Sequence, residues 1–171
     1  VAIEGDGFFP VQVTNGETRY TRAGSFKLDS QGRLTTPDGY LVLPGITVSG
    51  GSDNMSITVG KDGTVQIGTT GSDQTRQTIG ELRIATFLNP AGLSSEGNNL
   101  YAETLASGTA QLGTPGLTGY GQLNQGFLEG SNVEVVTELI SLIAAQRAYE
   151  INSRAIRAGD EMLSTSIDIV R

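Results

Sequence analysis

The sequence predicts a mainly β fold with a long C-terminal α-helix, in which an antiparallel β-domain and an extended connector precede a coiled-coil-like terminal helix. Three observations support this prediction. Residues 1–88 form short runs of alternating apolar and polar residues, separated by turn dipeptides. Residues 89–130 are rich in Gly, Ser and Thr and show no steady period. Residues 131–171 contain one glycine and repeat apolar residues every three or four positions.

The β-domain is predicted over residues 1–88. Alternation places one set of apolar side chains on the inner faces of the strands: Phe9, Val11, Val13, Phe26, Leu28, Met55, Ile57, Val59, Val65, Ile67, Leu82, Ile84 and Leu88. The runs are separated by dipeptides whose glycine can adopt the positive φ angle of a tight turn: Asn15-Gly16, Gln31-Gly32, Asp38-Gly39 and Asp62-Gly63. Strands joined by such turns become antiparallel neighbours.

The connector is predicted over residues 89–130, where isolated apolar residues are scattered among Gly, Ser, Thr and Asn. We expect an extended chain that returns along the β-domain, with the stretch LNQGFLEG as a candidate last strand. A connector of this length without regular structure is uncommon in a compact domain and is usually functional or ordered by its neighbours.

The terminal helix is predicted over residues 131–171. Ser131 and Glu134 fit a capping box, in which each side chain accepts a hydrogen bond from the backbone N–H of the other residue. The apolar residues that we expect to form an assembly surface are Val135, Val136, Leu139, Ile140, Leu142, Ile143, Tyr149, Ile151, Ile156, Met162 and Leu163. They follow two adjacent seams at coiled-coil spacing, which indicates more than one packing neighbour.

Two arrangements of this helix are open. A continuous helix would extend about 60 Å at 1.5 Å per residue and would pack against other helices. Alternatively, it folds onto the β-domain as part of its core, which is less favoured because so small a domain offers little surface to cover that length. Gly159 lowers helix propensity by about 1 kcal/mol relative to Ala and can mark a bend.

Composition excludes several kinds of site. The chain has no cysteine and no histidine, which removes disulfides, thiolate ligands, cysteine nucleophiles and the commonest general base. The net charge is −7 without any basic run, so we expect no nucleic-acid partner. No stretch approaches the roughly 20 apolar residues of a membrane span. Because Val1 already belongs to a predicted strand, we expect the chain to be a fragment of a longer protein.

The carboxylates are better explained by turns and strands than by catalysis. Asp38 and Asp62 precede glycine in predicted turns, and Asp29 ends a strand before another turn. Glu81 lies beside Arg83 on the polar face of a strand. A glycosidase would require two carboxylates that flank a sugar, and the sequence does not single out such a pair.

Loops that resemble ligand-binding motifs are also weak evidence for a binding site. The segments Gly5–Gly7 and Gly119–Gly121 are rich in glycine, but neither opens a helix after a strand, as a phosphate loop does. Asp53 and Asn54 alone do not make a calcium loop. We therefore predict no catalytic residue, no cofactor and no metal site.

Six long motifs cover nearly the whole chain: GDGFFPV, YTRAGSFKLDSQGRL, GYLVLPGITV, FLNPAGLSSEGNNLYAETLASG, TPGLTGYGQLNQGFLEGSNV and SNVEVVTELISLIAAQRAYEINSRAI. They resemble the bacterial flagellar axial proteins, the rod and hook family. The last two motifs look most like the distal rod branch of that family. The signature positions in and before the helix are Ser131, Asn132, Val133, Gln146, Arg147, Ala148, Tyr149, Glu150 and Asn152.

The resemblance implies a structural protein rather than an enzyme. In the family, terminal helices pack side by side around a central export channel and β-domains form the outer layer. This implies a homo-oligomeric helical tube, the periplasm-spanning rod of the flagellar basal body, which transmits torque. The implied partners are neighbouring rod and hook proteins, the flagellar ring bushing and, during secretion, the flagellar export apparatus. Family members also have an N-terminal helical segment that pairs with the C-terminal helix, and this segment is not found in the chain.

Three hypotheses follow. The first is a subunit of the distal rod. The second is a sister axial protein, either another rod subunit or the hook, although YEINS and the short β-region favour a rod subunit. The third is a secreted β-domain that acts on peptidoglycan, which lacks a convergent pair of acids. The upstream sequence would distinguish them, because an apolar heptad helix there favours an axial protein and a cleavable signal peptide favours a secreted enzyme.

Overall fold

The computed structural model describes residues 1–48, 55–69 and 76–169. Within them the fold is mainly antiparallel β with one long C-terminal helix, which confirms the predicted fold class. The strands are β1 Ala2–Glu4, β2 Phe9–Gln12, β3 Thr18–Thr21, β4 Lys27–Leu28, β5 Leu34–Thr35, β6 Leu41–Val42, β7 Met55–Val59, β8 Thr64–Thr69, β9 Gln77–Glu81, β10 Ile84–Thr86, β11 Ser94–Gly97, β12 Leu100–Ala102, β13 Gln111–Gly113 and β14 Gln122–Asn124. The helix α1 spans Val135–Ile169.

The described strands are arranged in four antiparallel sheets. The largest has seven strands in the order β11-β12-β3-β2-β6-β5-β4, and a second has three in the order β7-β8-β9. Two further pairs, β1 with β14 and β10 with β13, join strands that are far apart in the chain. Neighbours within β2–β3, β4–β5 and β7–β8 are consecutive in sequence, as expected for strands joined by tight turns.

The predicted turn dipeptides have the backbone conformation of tight turns. Their glycines adopt left-handed φ angles: Gly16 85°, Gly32 74°, Gly39 89° and Gly63 85°. Asp62 Oδ1 accepts the N–H of Thr64 at 3.2 Å and its hydroxyl at 2.7 Å, so this carboxylate closes the turn. At Gly63 a Cβ would also lie 2.4 Å from the carbonyl oxygen of Leu82, so only glycine fits there. The structural role predicted for Asp62 is thereby confirmed.

The core of the β-structure draws residues from all four sheets. Its buried residues are Ile3, Phe9, Val11, Val42, Ile46, Val65, Leu82, Ile84, Leu100 and Leu123. A second, smaller cluster is built on Tyr20 and Phe87, whose rings meet edge to face with centroids 4.8 Å apart. Five of the residues that alternation placed inside are thus fully in the core: Phe9, Val11, Val65, Leu82 and Ile84.

Two residues that alternation placed in the core, Leu28 and Leu88, are exposed instead. Leu28 is 40% exposed because β4 is a two-residue strand at the edge of the seven-stranded sheet. Leu88 is 91% exposed because the run GELRIATFL is not one strand. There β9 ends at Glu81 and β10 covers only Ile84–Thr86, so the period of two does not continue to Leu88. The side chain of Met55 lies outside the described residues.

The segment 89–130 contains four of the described strands. Strand β12 joins the large sheet through Tyr101 opposite Tyr20, and β14, at the start of LNQGFLEG, pairs with β1. The chain divides into two compact units, Val1–Glu129 and Gly130–Arg171. The division into domains 1–88, 89–130 and 131–171 stays a prediction.

The helix begins at Val135, and the predicted capping box of Ser131 and Glu134 does not form. Ser131 Oγ instead accepts the N–H of Val133 at 3.2 Å, a local turn that competes with capping. Glu134 precedes the first helical residue, and its carbonyl oxygen accepts the N–H of Glu138 at 3.1 Å. Its carboxylate accepts the hydroxyl of Thr137 at 3.1 Å. The helix therefore starts four residues after Ser131.

Candidate assembly surface on the C-terminal helix

Helix α1 has 35 residues and is built from a stretch that favours helical backbone. Between Gly130 and Gly159 the sequence has neither glycine nor proline, so nothing interrupts the backbone hydrogen bonds. Glu138 lies in the first turn, where a negative charge interacts favourably with the helix dipole. At 1.5 Å per residue the helix extends about 50 Å.

The apolar residues predicted to form the assembly surface are exposed along α1. Their exposed fractions run from 48% at Ile143 to 78% at Tyr149. The others are Val135, Val136, Leu139, Ile140, Leu142, Ile151, Ile156 and Met162. The side chain of Leu163 lies outside the described residues. Contiguous exposed apolar surface of this kind marks an interaction site in a folded protein.

The direction of the apolar face changes along α1. Residues eighteen positions apart lie at the same angle, since that spacing is about five helical turns. Four pairs at this spacing change from apolar to charged: Val136 and Arg154, Leu139 and Arg157, Leu142 and Asp160, and Ile143 and Glu161. The reverse change occurs from Glu138 to Ile156. The two ends of the helix therefore present their apolar residues in different directions, which suits contact with different neighbours.

The family signature positions fall on both sides of the start of the helix. Ser131, Asn132 and Val133 precede α1 and are exposed. The remaining positions lie within α1 and are also exposed: Gln146, Arg147, Ala148, Tyr149, Glu150 and Asn152. Among them Tyr149 alone belongs also to the predicted apolar surface, so the signature combines apolar and polar positions.

Sequence reasoning missed this change of face. The two seams follow spacings of three and four residues, and these spacings describe each seam only locally. A comparison of residues five turns apart would have revealed the change, since it uses only the sequence and the helical period. The change in direction of the apolar face could therefore be predicted from the sequence.

The two glycine segments that resemble phosphate loops lie together in the β-structure. The N–H of Gly121 donates to the carbonyl oxygen of Asp6 at 2.8 Å. Both segments line a shallow opening that also carries Glu4, whose carboxylate accepts the side-chain amide of Asn124 at 2.8 Å. Because two carboxylates face this opening, its electrostatics disfavour a phosphate.

Within residues 1–48, 55–69 and 76–169, no group of three or more acidic side chains is placed to hold a metal ion. Over the same residues, α1 included, no helix is both long enough and apolar enough to cross a membrane.

Comparison with known protein families gives two matches. Residues 2–67 match the family described as "Flagellar hook protein FlgE/F/G D1 domain". Residues 124–169 match the family described as "Flagellar basal body rod FlgEFG protein C-terminal". The second match contains α1 and the segment that joins it to the end of β14.

Relatives with curated names agree with these families. The chain is 48% identical over 166 residues to the flagellar basal-body rod protein FlgG of Caulobacter vibrioides, and the alignment covers 97% of this chain and 62% of that protein. It is 46% identical over 171 residues to FlgG of Borreliella burgdorferi, covering 100% of this chain and 64% of that protein. It is 35% identical over 161 residues to the flagellar hook protein FlgE of Salmonella typhimurium, and the alignment covers 93% of this chain and 40% of that protein. The chain thus spans less than two thirds of the length of these relatives.

Proposed function

This chain belongs to the family of flagellar rod and hook proteins, and we propose that it is part of a structural subunit of the distal rod of the bacterial flagellar basal body. The subunit polymerises into a helical tube that crosses the periplasm, encloses the export channel and transmits torque. It carries out no chemistry and needs no cofactor. Its partners are further copies of itself, neighbouring rod and hook proteins, the ring bushing and, during secretion, the export apparatus.

The observation that carries this proposal is the exposed apolar surface of α1 within the segment that matches the rod protein family. Burial of one exposed Leu or Ile side chain contributes roughly 1.5–3 kcal/mol. Six exposed Leu and Ile residues on one helix, together with Val135, Val136, Tyr149 and Met162, therefore supply more association energy than a single small contact needs. A helix with apolar residues in several directions suits a tube, in which each subunit touches several neighbours.

A rod subunit is favoured over a hook subunit. The identity with the two rod proteins exceeds that with the hook protein, and the chain covers a larger share of the rod proteins. Axial proteins of both kinds share the same family descriptions, so the β-structure and α1 alone do not separate them.

The proposal is tested by grafting. The chain replaces the matching residues of the Caulobacter vibrioides rod protein in a strain that lacks that protein. We expect motility and complete basal bodies in electron micrographs. As the matched comparison, the chain replaces the matching residues of the Salmonella typhimurium hook protein, and we expect no functional hook. Restoration of the hook but not of the rod would overturn the assignment.

A further inference from the structure

Strand β7 lies at one edge of the three-stranded sheet, and two of its outer backbone groups are bonded by a side chain rather than by a strand. Thr58 of β7 is opposite Gln66 of β8 and turns its backbone groups towards that strand. In an antiparallel pair the adjacent residues, Ile57 and Val59, turn theirs to the outer side. These are the groups that an added strand would engage.

Gln125 binds two of these four groups, the carbonyl of Ile57 and the N–H of Val59. Its Nε2 donates to the carbonyl oxygen of Ile57 at 2.7 Å, and its Oε1 accepts the N–H of Val59 at 2.8 Å. The backbone N–H of Leu123 continues the coverage by donating to the carbonyl oxygen of Lys61 at 3.1 Å. One side-chain amide thus supplies the donor and the acceptor that one residue of a parallel neighbouring strand would supply.

A contribution to stability does not explain this arrangement. Gln125 is exposed, and hydrogen bonds that exchange with water have a small net effect on folding. Holding a glutamine in one conformation also opposes its side-chain entropy. Blocking a strand edge, in contrast, requires only that the groups be occupied when another strand approaches.

The four edge strands of the two larger described sheets differ in charge. Lys27 lies in β4, Glu81 in β9 and Glu96 in β11, and charged residues on an edge disfavour pairing with another strand. Strand β7 has the sequence MSITV, which contains neither a charge nor a proline. It is therefore the edge in these sheets that lacks protection from its own residues.

We propose that Gln125 blocks the edge of β7 against strand addition by a second copy of this chain. Identical uncharged strands pair readily in register, so the partner most suited to an open β7 is β7 of another copy. The proposal concerns the folded β-structure and does not depend on the rod function.

The test uses the full chain of 171 residues with Gln125→Ala, and Gln122→Ala serves as the matched control because Gln122 is exposed in β14 and makes no hydrogen bond to β7. Hydrogen exchange at Val59 is measured over a concentration series, together with sedimentation velocity. In dilute Gln125→Ala we expect exchange at Val59 to be about five- to tenfold faster than in the wild type, because one hydrogen bond is lost. Exchange should then slow as concentration rises and β7 strands pair. The control should behave as the wild type does.

A second variant, Gln125→Glu, separates blocking from stability. It loses the donor to Ile57 but places a charge at the edge, so we expect no pairing through β7 at any concentration. Association through α1 is common to all variants and cancels in the comparison. The proposal is overturned if the rate of hydrogen exchange at Val59 in Gln125→Ala does not depend on protein concentration. A large fall in the melting temperature of both Gln125 variants would also overturn it, because Gln125 would then be a stabilising residue.

Discussion

At the scale of single residues, Arg22 connects segments that are distant in the chain. Its Nε lies 2.7 Å from the carboxylate of Glu129, which is 107 positions later. Its terminal nitrogens donate to the carbonyl oxygens of Ile3 at 3.3 Å and Gly7 at 2.9 Å. The guanidinium group supplies several donors in one fixed plane, which a lysine ammonium cannot do. Arg22 therefore fastens the loop after β1 to the end of the first compact unit.

We expect Arg22→Met to lower the free energy of unfolding by about 1–3 kcal/mol, because partly buried carbonyl oxygens lose their donors. Arg22→Lys should fall between the wild type and Arg22→Met. Urea denaturation measures both. Arg33→Met is the control, since Arg33 pairs with Asp29 at an exposed site, where an ion pair contributes about 0–1 kcal/mol. Equal losses at Arg22 and Arg33 would contradict the role given to Arg22.

Asp62 predicts a specific pH dependence. The hydroxyl and the backbone N–H of Thr64 hold the pKa of Asp62 below its ordinary value of 3.8. A lowered folded-state pKa contributes stability above the unfolded value, and that contribution is lost as the pH falls from 3.8 through the folded-state pKa. Asp62→Asn keeps the acceptor oxygen and does not titrate.

We therefore expect Asp62→Asn to match the wild type near neutral pH and to lose stability less steeply in acid. Urea denaturation at stepwise lower pH measures this difference. Asp62→Ala removes the acceptor and should be less stable at every pH. A slope for Asp62→Asn that equals the wild-type slope below pH 3.8 would show that this carboxylate does not contribute.

At the scale of elements, α1 combines great length with apolar residues that are exposed in the chain by itself. Intrinsic propensity supplies little of the stability of a helix, and most of it comes from packing. In dilute solution we expect fast hydrogen exchange beyond Val133 and slower exchange as concentration rises and helices associate. The strands should exchange slowly at all concentrations. The prediction would be contradicted if residues Leu139 to Ile151 were as protected from exchange as the strands and if this protection did not depend on protein concentration.

At the scale of the whole molecule, assembly should depend on the apolar residues of α1 while folding of the β-structure should not. We expect the double change Leu139→Asp and Ile143→Asp to abolish rod formation by the grafted Caulobacter vibrioides protein, because charges would enter a packed interface. The melting transition of the β-structure should stay nearly unchanged. Ser141→Asp is the control, since it adds one such charge on the other side of the same turns. A loss of several kcal/mol from the β-structure would indicate that these residues belong to its core.

Features of this protein that depend on neighbouring residues can be predicted from the sequence alone. Alternation, turn dipeptides and helical spacing act within a few positions, so the antiparallel β class, the turn at Asp62-Gly63 and the long terminal helix could be predicted. The long family motifs identified the chain as a rod or hook relative for a different reason, because they compare whole stretches of residues. The apolar residues of α1 were also predicted, since their spacing is a property of one helix.

Features that depend on pairing between distant segments arise only in the folded chain. Leu88 is exposed because β10 ends before it, and the extent of β10 is set by its pairing with β13. The contacts of Arg22 with Glu129 and of Gln125 with Val59 join positions that no local pattern relates. Strand ends and long-range hydrogen bonds are selected by the packing of the complete chain, because their free energy is gained only when distant segments meet.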